Sequence, residues 1–143
     1  MRCGFCRKTR LGQPTKLGSW TILARDFARR VSYCAPARIG CHALSAPPGQ
    51  RWLITNLVVT NASGEANTFD SHVIAANYSG EGSSSEVHAQ RNTETSVAPY
   101  GTLHLQLAFR IPEWSRIYSL VVRKDLGAEK QARAAVEIDL NCC

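Results

Sequence analysis

Six cysteines and four histidines are the residues of this chain with the most chemistry to offer. Cys3-Gly-Phe-Cys6 has the two-residue spacing of a zinc knuckle or a dithiol redox pair. A structural zinc site needs a second pair of ligands, and the nearest are Cys34, Cys41 and His42. The six residues between Cys34 and Cys41 do not fit a standard zinc ribbon. A redox pair would need βαβ surroundings, which this chain lacks. Cys34 and Cys41 instead close a short loop around Pro36 and Gly40, so a disulfide between them is expected. In an oxidising compartment, loop closure of this length stabilises by roughly 2–3 kcal/mol. For the terminal pair Cys142-Cys143, bonding of one member to Cys3 or Cys6 is the expectation. Prenylation of that end has no supporting feature elsewhere.

His42, His72, His88 and His104 are scattered, and three of them fall on extended segments where they could converge as metal ligands. No carboxylate follows any of them at close spacing, so no metal site is expected. Gly-x-Ser-x-Gly is absent, and Gly80-Glu-Gly82 lacks the Gly-Lys-Ser/Thr of a phosphate loop. The expectation is therefore a protein without catalytic residues or cofactor. Three aromatics remain as candidate binding residues. Trp52, Tyr100 and Trp114 lie at strand ends or turns, where an exposed Trp or Tyr can anchor a partner or merely cap the core. Asn61-Ala-Ser63 and Asn77-Tyr-Ser79 match the glycosylation sequon, which matters only in a secreted eukaryotic protein.

The elements that must carry these residues read as strands. Leu103, Leu105, Leu107, Phe109 and Ile111 alternate with Thr102, His104, Gln106, Ala108 and Arg110. A helix would scatter these around its circumference, whereas a strand with one wet face sorts them. Gln50–Asn61 is β-branched and aromatic, with Leu53, Thr55, Leu57 and Val59 on one face. Trp20, Ile22 and Ala24 alternate in a first strand, Phe69–Tyr78 makes a third, and Val87–Asn92 is extended. In Ile117–Val122 the residues Tyr118, Leu120 and Val122 point inward. Gly127–Ala135 could form a helical turn before a closing strand with Val136, Ile138 and Leu140. Phe27–Ala46 reads as a long irregular connection, and Pro47-Pro48-Gly49, Asn61–Gly64, Ser79–Ser85 and Val97–Gly101 as turns. About seven short strands at such intervals predict an all-β, immunoglobulin-like antiparallel β-sandwich. It spans residues 17–141, after a basic, cysteine-containing irregular tail at 1–16 and before the Cys-Cys terminus at 142–143.

The chain has 143 residues, enough for one domain, and an ordinary globular composition. No run of about 18 apolar residues exists, so no membrane span is expected. Charge is uneven. Residues 1–50 carry nine Lys/Arg against the single Asp26, a local net of +8, and the remainder carries a net of −2. An anionic partner such as a cell-wall polymer, lipid headgroups or nucleic acid would fit this arm, as would simple solvation. Nucleic acid is the less favoured partner because aromatic residues are not interleaved with the cations. No secretory leader is visible at the N-terminus.

The order of motifs from residue 17 to 124 resembles a known group. Gly18-Ser-Trp-Thr-Ile22 is followed by Pro48-Gly49-Gln-Arg-Trp-Leu-Ile-Thr-Asn-Leu-Val-Val-Thr-Asn61 and Val97-Ala-Pro-Tyr-Gly101. Leu107-Ala-Phe-Arg-Ile-Pro112 and Tyr118-Ser-Leu-Val-Val122 complete it. This is similar to the immunoglobulin-like domain of unknown function in small secreted bacterial proteins and lipoproteins, the group that includes the mycobacterial immunoprotective extracellular protein. The chain departs from that pattern at Pro99-Tyr100-Gly101, where the group has Pro-Gly, so a different turn is expected there. The resemblance implies an extracytoplasmic, secreted module that binds protein or a cell-surface polymer through its loops, and it supplies no catalytic residue. The alternative is an intracellular nucleic-acid- or assembly-binding subunit using the basic arm.

Overall fold

The computed structural model describes residues 9–70, 74–78, 82–84, 87–89, 94–115, 118–123 and 135–140, all in strands, turns and connections. In chain order the strands are β1 (Thr9–Arg10), β2 (Thr15–Leu17), β3 (Trp20–Arg30), β4 (Ser32–Pro36) and β5 (Cys41–Ser45). Next come β6 (Gln50–Asn61), β7 (Asn67–Asp70), β8 (Ile74–Tyr78), β9 (Gly82–Ser84) and β10 (Val87–Ala89). Then follow β11 (Glu94–Val97), β12 (Thr102–Pro112), β13 (Tyr118–Arg123) and β14 (Ala135–Asp139). Two five-stranded sheets form the sandwich, one ordered β10-β12-β6-β3-β2 and the other β1-β14-β13-β8-β9. Two further ladders, β11-β7 and β4-β5, have two strands each. The pairings are antiparallel apart from β1 with β14.

The core follows from the alternation. Leu53, Leu57 and Val59 of β6 and Leu105, Leu107, Phe109 and Ile111 of β12 point inward beside Ile22 and Ala24 of β3. They meet Ile74, Ala76, Tyr118, Leu120, Val122 and Ile138 of the opposite sheet, so a single apolar layer joins the two sheets. Burying a side chain of this size contributes about 1.5–3 kcal/mol relative to leaving it exposed. Trp20 meets Phe69 edge to face at 5.2 Å, and Phe27 meets Tyr118 at 5.9 Å.

Four expectations need correction. The tail is not irregular throughout, because Thr9–Arg10 and Thr15–Leu17 each pair at a sheet edge. Phe69–Tyr78 is not one strand: β7 pairs with β11 and β8 with β13, in different ladders. The strand count exceeds seven because short edge strands too weak to show a period join both sheets. Finally, Phe27–Ala46 is not an irregular connection. β3 continues to Arg30, and β4 and β5 form a hairpin closed by the Cys34–Cys41 disulfide. The helical turn expected over Gly127–Ala135 falls almost wholly outside the described residues.

The hairpin explains a second apolar cluster. It folds over the outer face of the β3-β6-β12 sheet, burying Tyr33, Trp52 and Ala108 with Ala35, Leu44, Ala46 and Ile54 packed around them. The Trp52 indole donates to the Leu44 carbonyl at 3.0 Å, and Ala46 N donates to the Val31 carbonyl at 2.8 Å. Along β4 and β5 the pairs Tyr33–Leu44 and Ala35–His42 share the inward side, whereas Cys34 and Cys41 lie on the solvent side. The two cysteines sit diagonally across the ladder with Cα atoms 5.3 Å apart, within the span a disulfide bridges.

Candidate functional site

Beyond the hairpin the same outer face carries a polar row, followed by the half-buried Leu23 and Val58 beside His104. On β3 the register shifts between Ala24 and Asp26, a bulge that leaves Arg25 outside the ladder with β6. This switches the alternation, so that Ile22 and Ala24 are buried before the bulge and Phe27 packs on the core after it. Asp26 therefore stands on the outer face opposite Asn56, which itself lies opposite Gln106 of β12. Three strands contribute one polar row. The Asn56 amide nitrogen donates to the Asp26 carboxylate at 2.6 Å, and the Gln106 amide nitrogen donates to the Asn56 carbonyl at 3.3 Å. The bulge is fastened from below by buried Thr55, whose hydroxyl donates to the Asp26 carbonyl at 3.0 Å.

Arg25, Asp26, Asn56, Leu57, His104, Leu105 and Gln106 line a shallow depression of about 350 Å³ around this row. Asp26 uses one carboxylate oxygen within the row, and Gln106 uses only its amide nitrogen. The second oxygen of Asp26, the side-chain carbonyl of Gln106, the Arg25 guanidinium and the His104 imidazole have no partner among the described residues. The arrangement thus presents a cation, an anion and amide donors and acceptors on a rigid sheet. Among the described residues that line it there is no nucleophile paired with a base. Among the described residues no group of three or more His, Cys, Asp or Glu side chains could hold a metal ion.

The three aromatic candidates are not brought together. Trp52 is a core residue, 3% exposed because the β4-β5 hairpin lies over it, which fits the core-capping alternative and removes it as an exposed anchor. Tyr100 and Trp114 are exposed, at 70% and 56%, but stand beyond opposite ends of the eleven-residue β12, roughly 35 Å apart at the usual rise per residue. Trp114 leans edge-on against Tyr78 at 6.2 Å, next to the Arg51–Glu113 ion pair of 2.8 Å and the Arg29 side chain that donates to the Glu113 carbonyl. Tyr100 occupies the third position of a turn in which Gly101 N donates to the Ala98 carbonyl at 2.8 Å. The matching turn before β6, closed by Gln50 N on the Pro47 carbonyl at 3.0 Å, has Gly49 at that position with φ +82°. Both are Pro-led turns that demand positive φ, and Tyr100 meets the demand at φ 58°, at a conformational cost that glycine escapes.

The sequon at Asn61 is not an acceptor site. Asn61 is fully buried. Its amide nitrogen donates to the carbonyls of Glu65, Val97 and Ala98 at 2.7–3.2 Å, and its side-chain oxygen accepts from Ser63 N at 3.0 Å. Asn61 is the latch between the loop after β6 and the turn before β12. The second sequon is interrupted by residues outside the described set. Cys34 and Cys41 are bound to each other, which removes them as zinc ligands. Cys3, Cys6, His72, Cys142 and Cys143 lie outside the described residues.

Arg25, Asp26 and Asn56 were not visible as a site in the sequence, and His104 and Gln106 appeared only as part of a wet strand face. One signal was present. The odd spacing from Ala24 to Phe27 breaks the alternation of Trp20, Ile22 and Ala24, which is what a bulge does.

Similarity to known proteins is confined to the fold. No protein-family model matches the chain, and no curated protein is significantly similar to it. Solved structures do match. An uncharacterized β-sandwich protein from Clostridium difficile 630 has a TM-score of 0.57 at 12% identity, over 98% of this chain and 99% of its own. The yjhA protein of Bacillus subtilis has a TM-score of 0.64 at 10% identity, over 92% of this chain and 98% of its own. The ycdA protein of Bacillus subtilis, a candidate lipoprotein, has a TM-score of 0.60 at 14% identity; 90% of this chain matches 38% of that one. At these identities the likeness is one of architecture: the chain is a β-sandwich similar to bacterial sandwich proteins of uncharacterized role.

Proposed function

We propose that the chain is a non-catalytic binding module that works outside the cytoplasm and recognises a hydroxyl-bearing polymer of a cell surface. The observation that carries this reading is the open polar row Asp26–Asn56–Gln106, flanked by Arg25 and His104. Its side chains are fixed to one another, so little rotamer freedom is lost when a ligand binds. Planar carboxylate, amide and guanidinium groups with uncommitted atoms suit vicinal hydroxyls and amides. The disulfide-closed hairpin supports an oxidising compartment, and the likeness to a candidate lipoprotein agrees with it.

This reading moves recognition from the loops to the sheet face, because the loop aromatics point to opposite ends of the sandwich. The intracellular nucleic-acid reading has less support. The disulfide argues against the compartment, and the depression sets a carboxylate beside its cation, which would repel a phosphate backbone. The test is affinity measurement of the oxidised chain against soluble cell-wall polysaccharide, chito-oligosaccharides and dextran. Binding of at least one of these, lowered about tenfold or more by Asn56→Leu with Gln106→Leu, is the expected result. Equal binding by the double variant, or no binding to any of the three, contradicts the assignment. Salt-sensitive binding to duplex DNA in their place would favour the alternative.

A further inference from the structure

The β4-β5 hairpin carries a second surface that the polar row does not use. Between Asp26 and Glu65 the chain contains no carboxylate side chain, yet it has Arg29, Arg30, Arg38 and Arg51. Arg29 and Arg51 are engaged with Glu113. Arg30, at the hairpin's base, and Arg38, at its tip, are exposed and without a described partner. The apolar side is equally one-sided. Ile39 at the tip is 90% exposed and Val31 at the base 60%, two of the four large hydrophobic side chains exposed among the described residues.

The geometry of the tip makes this placement deliberate. Ala37 N donates to the Gly40 carbonyl at 3.1 Å, and Gly40 takes φ +66°, so Arg38 and Ile39 are the central pair of the four residues that connect the paired strands. Such positions favour Asn, Asp, Ser or Gly, and a β-branched apolar residue gains nothing there from the fold. His42 shares the inward side of the hairpin with Tyr33 and Leu44 but is exposed, so the distal end extends past the small core beneath it. The Cys34–Cys41 bond closes the ladder immediately behind the tip, which holds Arg38 and Ile39 together without a ligand.

We propose that this tip docks on an anionic lipid surface, with Ile39 entering the boundary between headgroups and acyl chains while Arg38 pairs with lipid phosphates. Charge complementarity selects an anionic partner, and the exposed isoleucine selects a lipid one: a soluble polyanion has nothing to offer Ile39, whereas a bilayer interface does. A single such turn gives reversible attachment, suited to holding the polar row near a cell envelope.

The test is co-sedimentation of the oxidised full chain with phosphatidylcholine vesicles containing 0, 20 or 40 mol% phosphatidylglycerol, at low and high salt. Binding should rise with phosphatidylglycerol and fall with salt. Arg38→Glu reverses a charge and should weaken binding roughly 20-fold or more, at about fivefold per unit of charge near the surface. Ile39→Ser should weaken it roughly tenfold while leaving the charge intact. Both changes sit in an exposed turn, and an unchanged near-ultraviolet circular dichroism spectrum would show that the fold survives. Binding indifferent to phosphatidylglycerol overturns the proposal. So does loss on Arg38→Glu with none on Ile39→Ser, which would mark a soluble-polyanion site instead.

Discussion

Two halves of one sheet face behave as different materials. On the outer side of β3, β6 and β12, the half beneath the hairpin is apolar, with Trp52, Ile54 and Ala108 packed under Tyr33 and Leu44. Two residues further along the same strands the face turns polar, with Asn56 beside Asp26 and Gln106. Backbone geometry is continuous across the boundary; what changes is the cover. The stretch that the hairpin removes from water is apolar, and the row beside it is polar until Leu23 and Val58. The covered half owes its character to stability. The open half is under no packing demand, so its fixed polar row is the part of this face available for recognition.

Four changes would break or sharpen that contrast. Trp52→Ala should be the most damaging, lowering stability by about 3–5 kcal/mol in urea unfolding, since it removes the centre of the small core and the hydrogen bond to Leu44. Cys34→Ser with Cys41→Ser should cost about 2–3 kcal/mol and release the hairpin, read as a red shift of Trp52 fluorescence, while the main core stays folded. Tyr33 gives a pH signature. Burial raises its hydroxyl pKa above the ordinary tyrosine value. Below about pH 10 both folded and unfolded chains keep it neutral, and its contribution is complete. Above that the unfolded chain ionises first, so stability falls as pH rises through the folded value. Tyr33→Phe should flatten that alkaline decline in pH-dependent unfolding curves. Asn56→Ala should have the smallest effect on stability, under about 1 kcal/mol, because the side chain is only half-buried and water replaces its partners. Finding Asn56→Ala as damaging as Trp52→Ala would mean that the polar row is a structural clamp.

The legibility of the molecule in its sequence divides along the same boundary. β6 and β12 could be read directly, because each buries one face in a large core and so keeps a strict two-residue period. The hairpin could not be read as strands. Its inward residues Tyr33, Ala35 and Leu44 are separated by a turn, proline and two cysteines, and its own core is small. The Cys34–Cys41 bond was nonetheless legible from loop length alone. Whether Trp52 anchors a partner or caps the core could not be decided from the sequence, because it stands on the outer face of β6 and only the hairpin buries that position. The polar row was hidden for a different reason. Asp26, Asn56 and Gln106 are far apart in sequence, and a single bulge decides that Asp26 faces outward with them.

The most direct test of the contrast is a nuclear magnetic resonance titration of the isotopically labelled, oxidised chain with whichever cell-surface polysaccharide of the panel it binds. Chemical-shift changes concentrated at Asp26, Asn56, His104 and Gln106, including the side-chain amides, with Trp52 and Tyr33 unmoved, are the predicted result. Changes concentrated at Tyr100 or Trp114, with the polar row silent, would contradict recognition by the sheet face and return it to the loops.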